Sequence, residues 1–293
     1  MVSERELPGL RRQRRLRTQP RLPGTWLSSN ESEFDTLHQV SDHLYCYLTK
    51  FLFNGTVPLN NRSIVVHLPF AQGGDIAIIN PAELSPKVLT SLKSLEQSTG
   101  AKIKYLISPG DWHYLFIGAY LKAFPEATAY VPPGRIPSKN PQYPFSLIDI
   151  TIENPFPHLR PYLEVLNFRG MRDIEDPTKT RPRYELAFYH PESKAFTTAD
   201  IFMYTGVGEM GAGFKAAGLR FGVLEFHFMK ANMILDSEAV AQSIGKILAW
   251  KPENYICQHG GLGNMIAGGV CHQLEDLRQW ALGLDLTPSK GHA

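Results

Sequence analysis

Short apolar or alternating runs, separated by turn-forming residues, fill the first half of the chain. His43–Leu48 and Ser63–His67 combine aromatic and β-branched residues, which suits pleated strands. Asp75–Ile79 is apolar at every position after the aspartate, as expected of a strand covered on both faces. Asn80-Pro81 breaks that run. Ser85 then stands where a helix N-cap belongs, with Pro86 just inside it. Val88, Leu89, Leu92 and Leu95 supply an apolar stripe at helical spacing, and Gly100 stops the helix. Lys102–Ile107 reads as a strand, Ser108-Pro-Gly-Asp111 as a turn, Trp112–Phe124 as a helix, and Ala127–Val131 as a strand closed by Pro132-Pro133-Gly134. Strand, helix, strand, helix, strand from Asp75 to Val131 is the alternation of a layered α/β fold.

The second half is less regular. Residues 135–160 are proline-rich and read as loop, and Tyr162–Phe168 as a strand. Glu185–Tyr189 and Ala195–Thr198 flank His190-Pro-Glu-Ser193, a hairpin turn in which His190 is expected to be solvated. Residues 201–232 lack a pattern and hold five glycines between 206 and 218. Ser237 is placed as the cap of a helix reaching Trp250. Tyr255–Gln258 is a strand ending in His259-Gly-Gly, and a last helix runs from about Cys271 to Leu284.

Composition adds bounds. The apolar fraction of 43% and charged fraction of 20% allow one sizeable core in 293 residues. A net charge of +2 gives no general case for a nucleic-acid partner. Cys46, Cys257 and Cys271 are odd in number and widely spaced, which points to a reducing, cytoplasmic location. No apolar run reaches the length of a membrane span. The organisation expected is an N-terminal arm over 1–30 and one domain over 31–293. Residues 1–24 carry seven arginines, but Glu4, Glu6, Pro8, Pro20 and Pro23 interrupt any amphipathic helix, and no apolar segment of a secretory leader is present. A solvated tail, or an arm packed on a second subunit of a homo-oligomer, is the expectation there.

Three polar residues share one kind of position. His113 follows strand 102–107, Asp200 follows strand 195–198, and His259 follows strand 255–258. In layered α/β folds ligands gather beyond the carboxyl ends of strands. Two imidazoles and a carboxylate gathered there form a metal-ligand set, whereas a lone histidine after a strand is more often a hydrogen-bonded structural residue. Asp111 fits a ligand, a partner to a ligand, a general base or a helix N-cap. His227 fits either a fourth ligand or a packed histidine. Trp112, Tyr114 and Phe228 are candidates for lining an apolar substrate pocket.

These residues carry a resemblance. Tyr184–Asp200 resembles the hairpin of the metallo-β-lactamase superfamily, whose terminal aspartate binds or bridges metal. Ile247–Gly261 is similar to that superfamily's last strand and metal-binding His-Gly. Tyr105–Phe116, with Ala123–Ala127 and Tyr130–Gly134, resembles a divergent branch with a His-Leu-Phe-type stretch. The resemblance covers about residues 35–285 and implies an α/β fold arranged as an αββα four-layer sandwich. The superfamily's His-x-His-x-Asp-His motif is altered here. Pro109 and Asp111 stand at its first two histidines, His113 at its aspartate and Tyr114 at its last histidine, and no histidine occurs near Asn167–Gly170. The resemblance therefore implies one divalent ion, Zn or Fe, on His113, Asp200 and His259. It implies a hydrolase acting on a small, largely apolar molecule, with Asp111 or Asp200 managing the proton. A two-His, one-Asp iron oxygenase and a non-catalytic scaffold are the alternatives.

Overall fold

The computed structural model describes residues 34–53, 57–58, 60–70, 74–173, 175, 178, 180–204, 222–226, 230–259 and 265–284, with the pair 11–12. The first sheet contains β1 (His38–Ser41), β2 (Leu44–Thr49), β3 (Asn61–Leu68), β4 (Asp75–Ile79), β5 (Lys102–Ile107) and β6 (Thr128–Val131), paired in that order. Arg11–Arg12 joins one edge and Ser146–Leu147 the other. β1 to β4 pair antiparallel, and β4, β5 and β6 run parallel. The second sheet is β7 (Glu164–Phe168), β8 (Glu185–His190), β9 (Ala195–Thr198), β10 (Asn254–Ile256) and β11 (Met265–Ala267), also in that order. Within it only β9 and β10 run parallel.

Stacking of these sheets follows from strand periodicity, because successive side chains point to opposite faces. On β4, Ile76 and Ile78 face one apolar cluster while Ala77 and Ile79 face another. The outer cluster packs β4 and β3 against Val88, Leu92 and Leu95 of α1 (Pro86–Thr99) and Tyr120 of α2 (Ile117–Ala123). The inner cluster joins Ile64, Val66 and Ile79 of the first sheet to Leu186, Phe188 and Ile256 of the second. Ala187, Tyr189 and Phe196, on the far face of the second sheet, meet Val240, Ile244 and Ile247 of α3 (Ser237–Ala249) and Leu274 of α4 (Val270–Leu282). Three apolar clusters thus separate four layers, helix, sheet, sheet, helix, which is the expected αββα sandwich.

Local chemistry sets the element ends. Ser85 Oγ accepts from the Val88 amide at 3.3 Å, and Gly100 closes α1 in the left-handed conformation at φ 71°. α3 is capped one residue earlier than expected: Asp236 Oδ1 accepts from the Ala239 amide at 3.0 Å. The helix expected from Trp112 begins only at Ile117. Residues 108–113 form a turn instead, because Ser108 Oγ faces the carbonyls of Gly110 (2.9 Å) and His113 (2.6 Å) and the Asp111 amide donates to Tyr184 O at 3.3 Å. The supposed loop over 135–160 contains a short helix, Arg135–Lys139. β11, a strand of three residues flanked by glycines, offered no periodicity to read. In 201–232, Phe202–Tyr204 pairs with Leu224–Phe226 and a 3-10 turn starts at Lys230, while 205–221 and 227–229 lie outside the described residues. The same holds for the N-terminal arm apart from Arg11–Arg12, whose strand pairs with β1.

His190 is buried, at 2% exposure, and not solvated. Its Nδ1 lies 2.9 Å from Ser193 Oγ and accepts from the Ser193 amide at 3.3 Å. Burial, with His43 adding to it, pushes its pKa down from 6.5 to about 4. Between those values the unfolded chain takes up a proton that the folded chain refuses, so stability is present above pH 6.5 and is lost as pH falls towards 4. Compared with a His190→Asn variant, the wild type should lose about 3 kcal/mol of additional stability over that window. Urea unfolding of both proteins across the pH series checks this, and parallel curves would contradict it.

Candidate metal centre

The described candidate residues gather at one edge of the sandwich. β4, β5, β9 and β10 end there, and the antiparallel strands β3 and β8 begin there. The two sheets are stitched together at this edge by a bridge between Gly110 and Glu185 and by the Leu186 amide, which donates to Pro109 O at 2.7 Å. A Cβ on Gly110 would lie 3.1 Å from Tyr184 O and 3.2 Å from Glu185 Cγ, so the approach suits glycine.

His113, on the turn after β5, Asp200, two residues past β9, and His259, three residues past β10, converge at this edge. One ligand atom from each lies within 4.8 Å of the others. His113 Nε2 is 3.2 Å from Asp200 Oδ2, and His259 Nε2 is 3.0 Å from Asp200 Oδ1. The two rings are 5.4 Å apart at an interplanar angle of 37°. All three are nearly enclosed, and Asp200 keeps the largest share of side-chain exposure, 13%.

The far nitrogen of each imidazole decides what the near one presents. His259 Nδ1 lies 2.9 Å from the Asn60 carbonyl, which can only accept, so Nδ1 carries the proton. His113 Nδ1 lies 2.8 Å from Asn80 Oδ1. The orientation of Asn80 is fixed because its Nδ2 donates to Asn61 Oδ1 and Arg62 O, both at 2.8 Å, which leaves Oδ1 as the acceptor for His113. Asn60 and Asn80 hold φ of 48° and 55°, a left-handed conformation that asparagine tolerates better than most residues. With both Nδ1 atoms protonated, neutral rings turn two Nε2 lone pairs towards a carboxylate. Three electron-pair donors face one another, an arrangement that calls for a proton or a cation between them. The residues present therefore fit one small cation, and outer partners of this kind are how metal-ligating histidines are oriented.

The protonation tendencies follow from burial set against the mutual pull of the neighbouring groups. Burial opposes a charged His113 and outweighs Asp200, so the pKa of His113 falls. Burial opposes a charged His259 too, but the hydrogen bond and charge of Asp200 prevail and raise its pKa. Burial acts to raise Asp200, yet His113 and Arg183 hold its carboxyl well below the usual range.

A second arc lies against Asp200. Arg183 Nη2 donates to Asp200 Oδ2 at 2.5 Å and lies 3.3 Å from Glu185 Oε2. Glu185 Oε1 accepts from the amides of Asp200 (2.7 Å) and Ile201 (2.9 Å), clamping the turn that carries Asp200. Burial pushes Glu185 up to about 8, against the pull of Arg183. Asp111 lies outside the three-residue cluster. Its Oδ2 accepts from the Tyr184 amide at 3.1 Å, and burial raises its carboxyl. Two guanidinium groups lie near the Trp112 ring, Arg135 at 4.6 Å and Arg183 at 5.8 Å from its centroid. Tyr114 is half-buried against the outer cluster. His227 and Phe228 lie outside the described residues.

Nothing in the sequence pattern singles out Asn60, Asn80, Arg183 or Glu185 as part of the site. Asn80 carries the signal that marked the histidines, a polar residue directly after a buried strand, but it reads there as a strand break. Nothing in the spacing pairs Arg183 with Asp200. A cavity of about 480 Å³ between Gly222–Phe226 and α4 involves none of His113, Asp200 and His259.

No family model matches the chain, and no curated protein matches it in sequence. Solved structures do match. One is a metallo-β-lactamase from Erythrobacter litoralis with β-mercaptoethanol in its active site, at TM-score 0.55 and 11% identity over 84% of this chain and 96% of that one. A second is a metallo-β-lactamase from Pseudomonas aeruginosa in a mono-zinc form, at TM-score 0.53 and 12% identity over 85% and 96%. A third is a metallo-β-lactamase from Pontibacter korlensis, at TM-score 0.53 and 11% identity over 85% and 99%. The chain has the metallo-β-lactamase fold. At these identities the likeness speaks for architecture, and the chemistry has to be argued from the site itself.

The orienting role of Asn80 is open to test. Asn80→Ala should weaken zinc affinity about 10- to 100-fold through loss of the acceptor that orients His113. Competition with a zinc-responsive dye measures it, and unchanged affinity would show that His113 needs no such partner.

Proposed function

We propose that this chain is a metal-dependent hydrolase with one divalent ion, held by His113 Nε2, His259 Nε2 and the Asp200 carboxylate, acting on a small organic substrate. The observation that carries the reading is the fixed orientation of both imidazoles, with their Nε2 atoms turned to a shared carboxylate. A zinc ion so held supplies Lewis-acid activation of water and of a substrate carbonyl. The chain's own groups do the rest. Asn80 and the Asn60 carbonyl keep the rings in register, and Glu185 clamps the backbone of Asp200. Asp111, whose Oδ1 has no hydrogen-bond partner and whose carboxyl is raised by burial, is the proposed proton acceptor. Trp112 and Tyr114, with Phe228, are proposed to line an apolar substrate pocket.

The same donor set, two imidazoles and one carboxylate, also suits ferrous iron with open positions for substrate and oxygen. Metal content separates the two readings. Protein purified without chelator should carry about one zinc per chain and hydrolyse members of a panel of lactams, lactones and thioesters. Chelation should abolish that activity and zinc should restore it. His113→Ala and Asp200→Ala should each lower bound zinc at least tenfold. Iron in place of zinc, with substrate-dependent oxygen uptake, would favour the oxygenase. Full metal content in both variants would remove the proposed site.

A further inference from the structure

Residues 60–63, at the start of β3, make contacts in two directions. Towards His113, Asn61 Oδ1 and Arg62 O each accept from Asn80 Nδ2 at 2.8 Å. Ser63 Oγ donates to Asn80 O at 2.6 Å and accepts from the Ala82 amide at 2.9 Å. Asn80 is thus held by both its side chain and its backbone, and its Oδ1 goes to His113 Nδ1 at 2.8 Å. Towards His259, the Asn60 carbonyl lies 2.9 Å from Nδ1, and the Arg62 amide donates to Gln258 O at 2.8 Å. Arg62 Nη1 donates to the Cys257 carbonyl. Arg62 therefore serves both sides: its carbonyl holds Asn80, while its amide and guanidinium hold the residues just before His259. Its side chain crosses from the first sheet to the second and is fully buried.

We propose that Arg62 is a positioning residue that couples the two imidazoles, so that His113 and His259 are oriented as one unit and not by independent supports. The proposal rests on the reading of the centre as a metal site. Arg62 acts on His113 through Asn80, and on His259 through Cys257 and Gln258. Arginine suits this role. Its guanidinium keeps its charge at any working pH, and a charged donor holds a carbonyl more firmly than a neutral one. Its planar fork also fixes the direction of the hydrogen bond, which a lysine ammonium does not. Burial adds to the effect, because a cation removed from water depends on the acceptors the fold provides. The start of β3 and residues 257–258 are thereby kept in one arrangement. Independent supports would lose affinity multiplicatively when both are damaged. In a coupled unit, damage to the second adds little once the first is gone.

The test is a double-mutant cycle on zinc affinity, measured on folded protein by competition with a zinc-responsive dye. Arg62→Met, which keeps an apolar stem but no donor, should weaken zinc binding about tenfold. Combined with Asn80→Ala, it should bind zinc within about threefold of the weaker single variant. A double variant whose loss is the product of the two single losses overturns the proposal. So does unchanged zinc affinity in folded Arg62→Met, the result expected if Arg62 contributes to stability alone. If Arg62→Met does not fold, Arg62→Lys takes its place in the cycle. It keeps the charge but not the fork, and should weaken zinc about fivefold or more with the same lack of additivity. Wild-type affinity in that variant, or a full product in the cycle, overturns the proposal equally. A wild type that binds no zinc sinks the metal reading and this proposal with it, whereas a zinc-binding wild type with multiplying losses sinks this proposal alone.

Discussion

The contact on which the site depends is the pair of hydrogen bonds behind the imidazoles, His113 Nδ1 to Asn80 Oδ1 and His259 Nδ1 to the Asn60 carbonyl. Each fixes which nitrogen carries the proton, and with it which lone pair points inward. Without them two histidines beside an aspartate would be an ordinary buried hydrogen-bonded cluster. With them the three side chains become convergent donors around a shared point. Both acceptors belong to one small region, since Asn80 is itself held by Asn61 and by the Arg62 carbonyl at the start of β3. The region also braces the strand leading to His259: the Arg62 side chain donates to the Cys257 carbonyl, and the Arg62 amide donates to Gln258 O at 2.8 Å, just before His259.

The fold makes this convergence possible because parallel strands in both sheets end at the same edge. A buried strand places its last side chains with little freedom, and residues just past it inherit that placement. Parallel pairing of β9 and β10 within the second sheet brings together residues 59 positions apart, Asp200 and His259, and the first sheet brings His113 to them. Burial gives the arrangement its electrostatic weight. A carboxylate removed from water needs compensation, and Arg183 sets a fixed positive charge against Asp200 while the neutral imidazoles leave room for a cation. Removing one partner from such a cluster leaves a charge uncompensated, typically at a cost of about 3–5 kcal/mol. The whole edge is therefore interdependent.

Much of this architecture can be read from the sequence, for identifiable reasons. Asp75–Ile79 is apolar on both faces because both faces are covered, and Ser85, Pro86 and Gly100 mark α1 through local chemistry that no distant contact overrides. His113, Asp200 and His259 stand out because each is a polar residue at the end of an apolar run. Asn80, Arg183 and Glu185 do not, since their roles depend on partners in other layers. Asp200 meets Arg183 only after the hairpin of β8 and β9 has folded. The turn at 112–116 reads as helix because its residues suit one, and the hydroxyl of Ser108 together with the contact to Tyr184 overrides that preference. His190 reads as exposed from its place in a hairpin turn, whereas the tertiary packing of the two sheets encloses it.

The tautomers of the two imidazoles are the point at which the account is most directly exposed. Long-range ¹H–¹⁵N correlation spectra of ¹⁵N-histidine-labelled protein, recorded with and without zinc, report the state of each ring nitrogen. The account predicts that in the zinc-loaded protein His113 and His259 both carry hydrogen at Nδ1 and show metal-shifted Nε2 resonances. A proton at Nε2 on either ring, or Nε2 resonances that do not move when zinc is added, would contradict it.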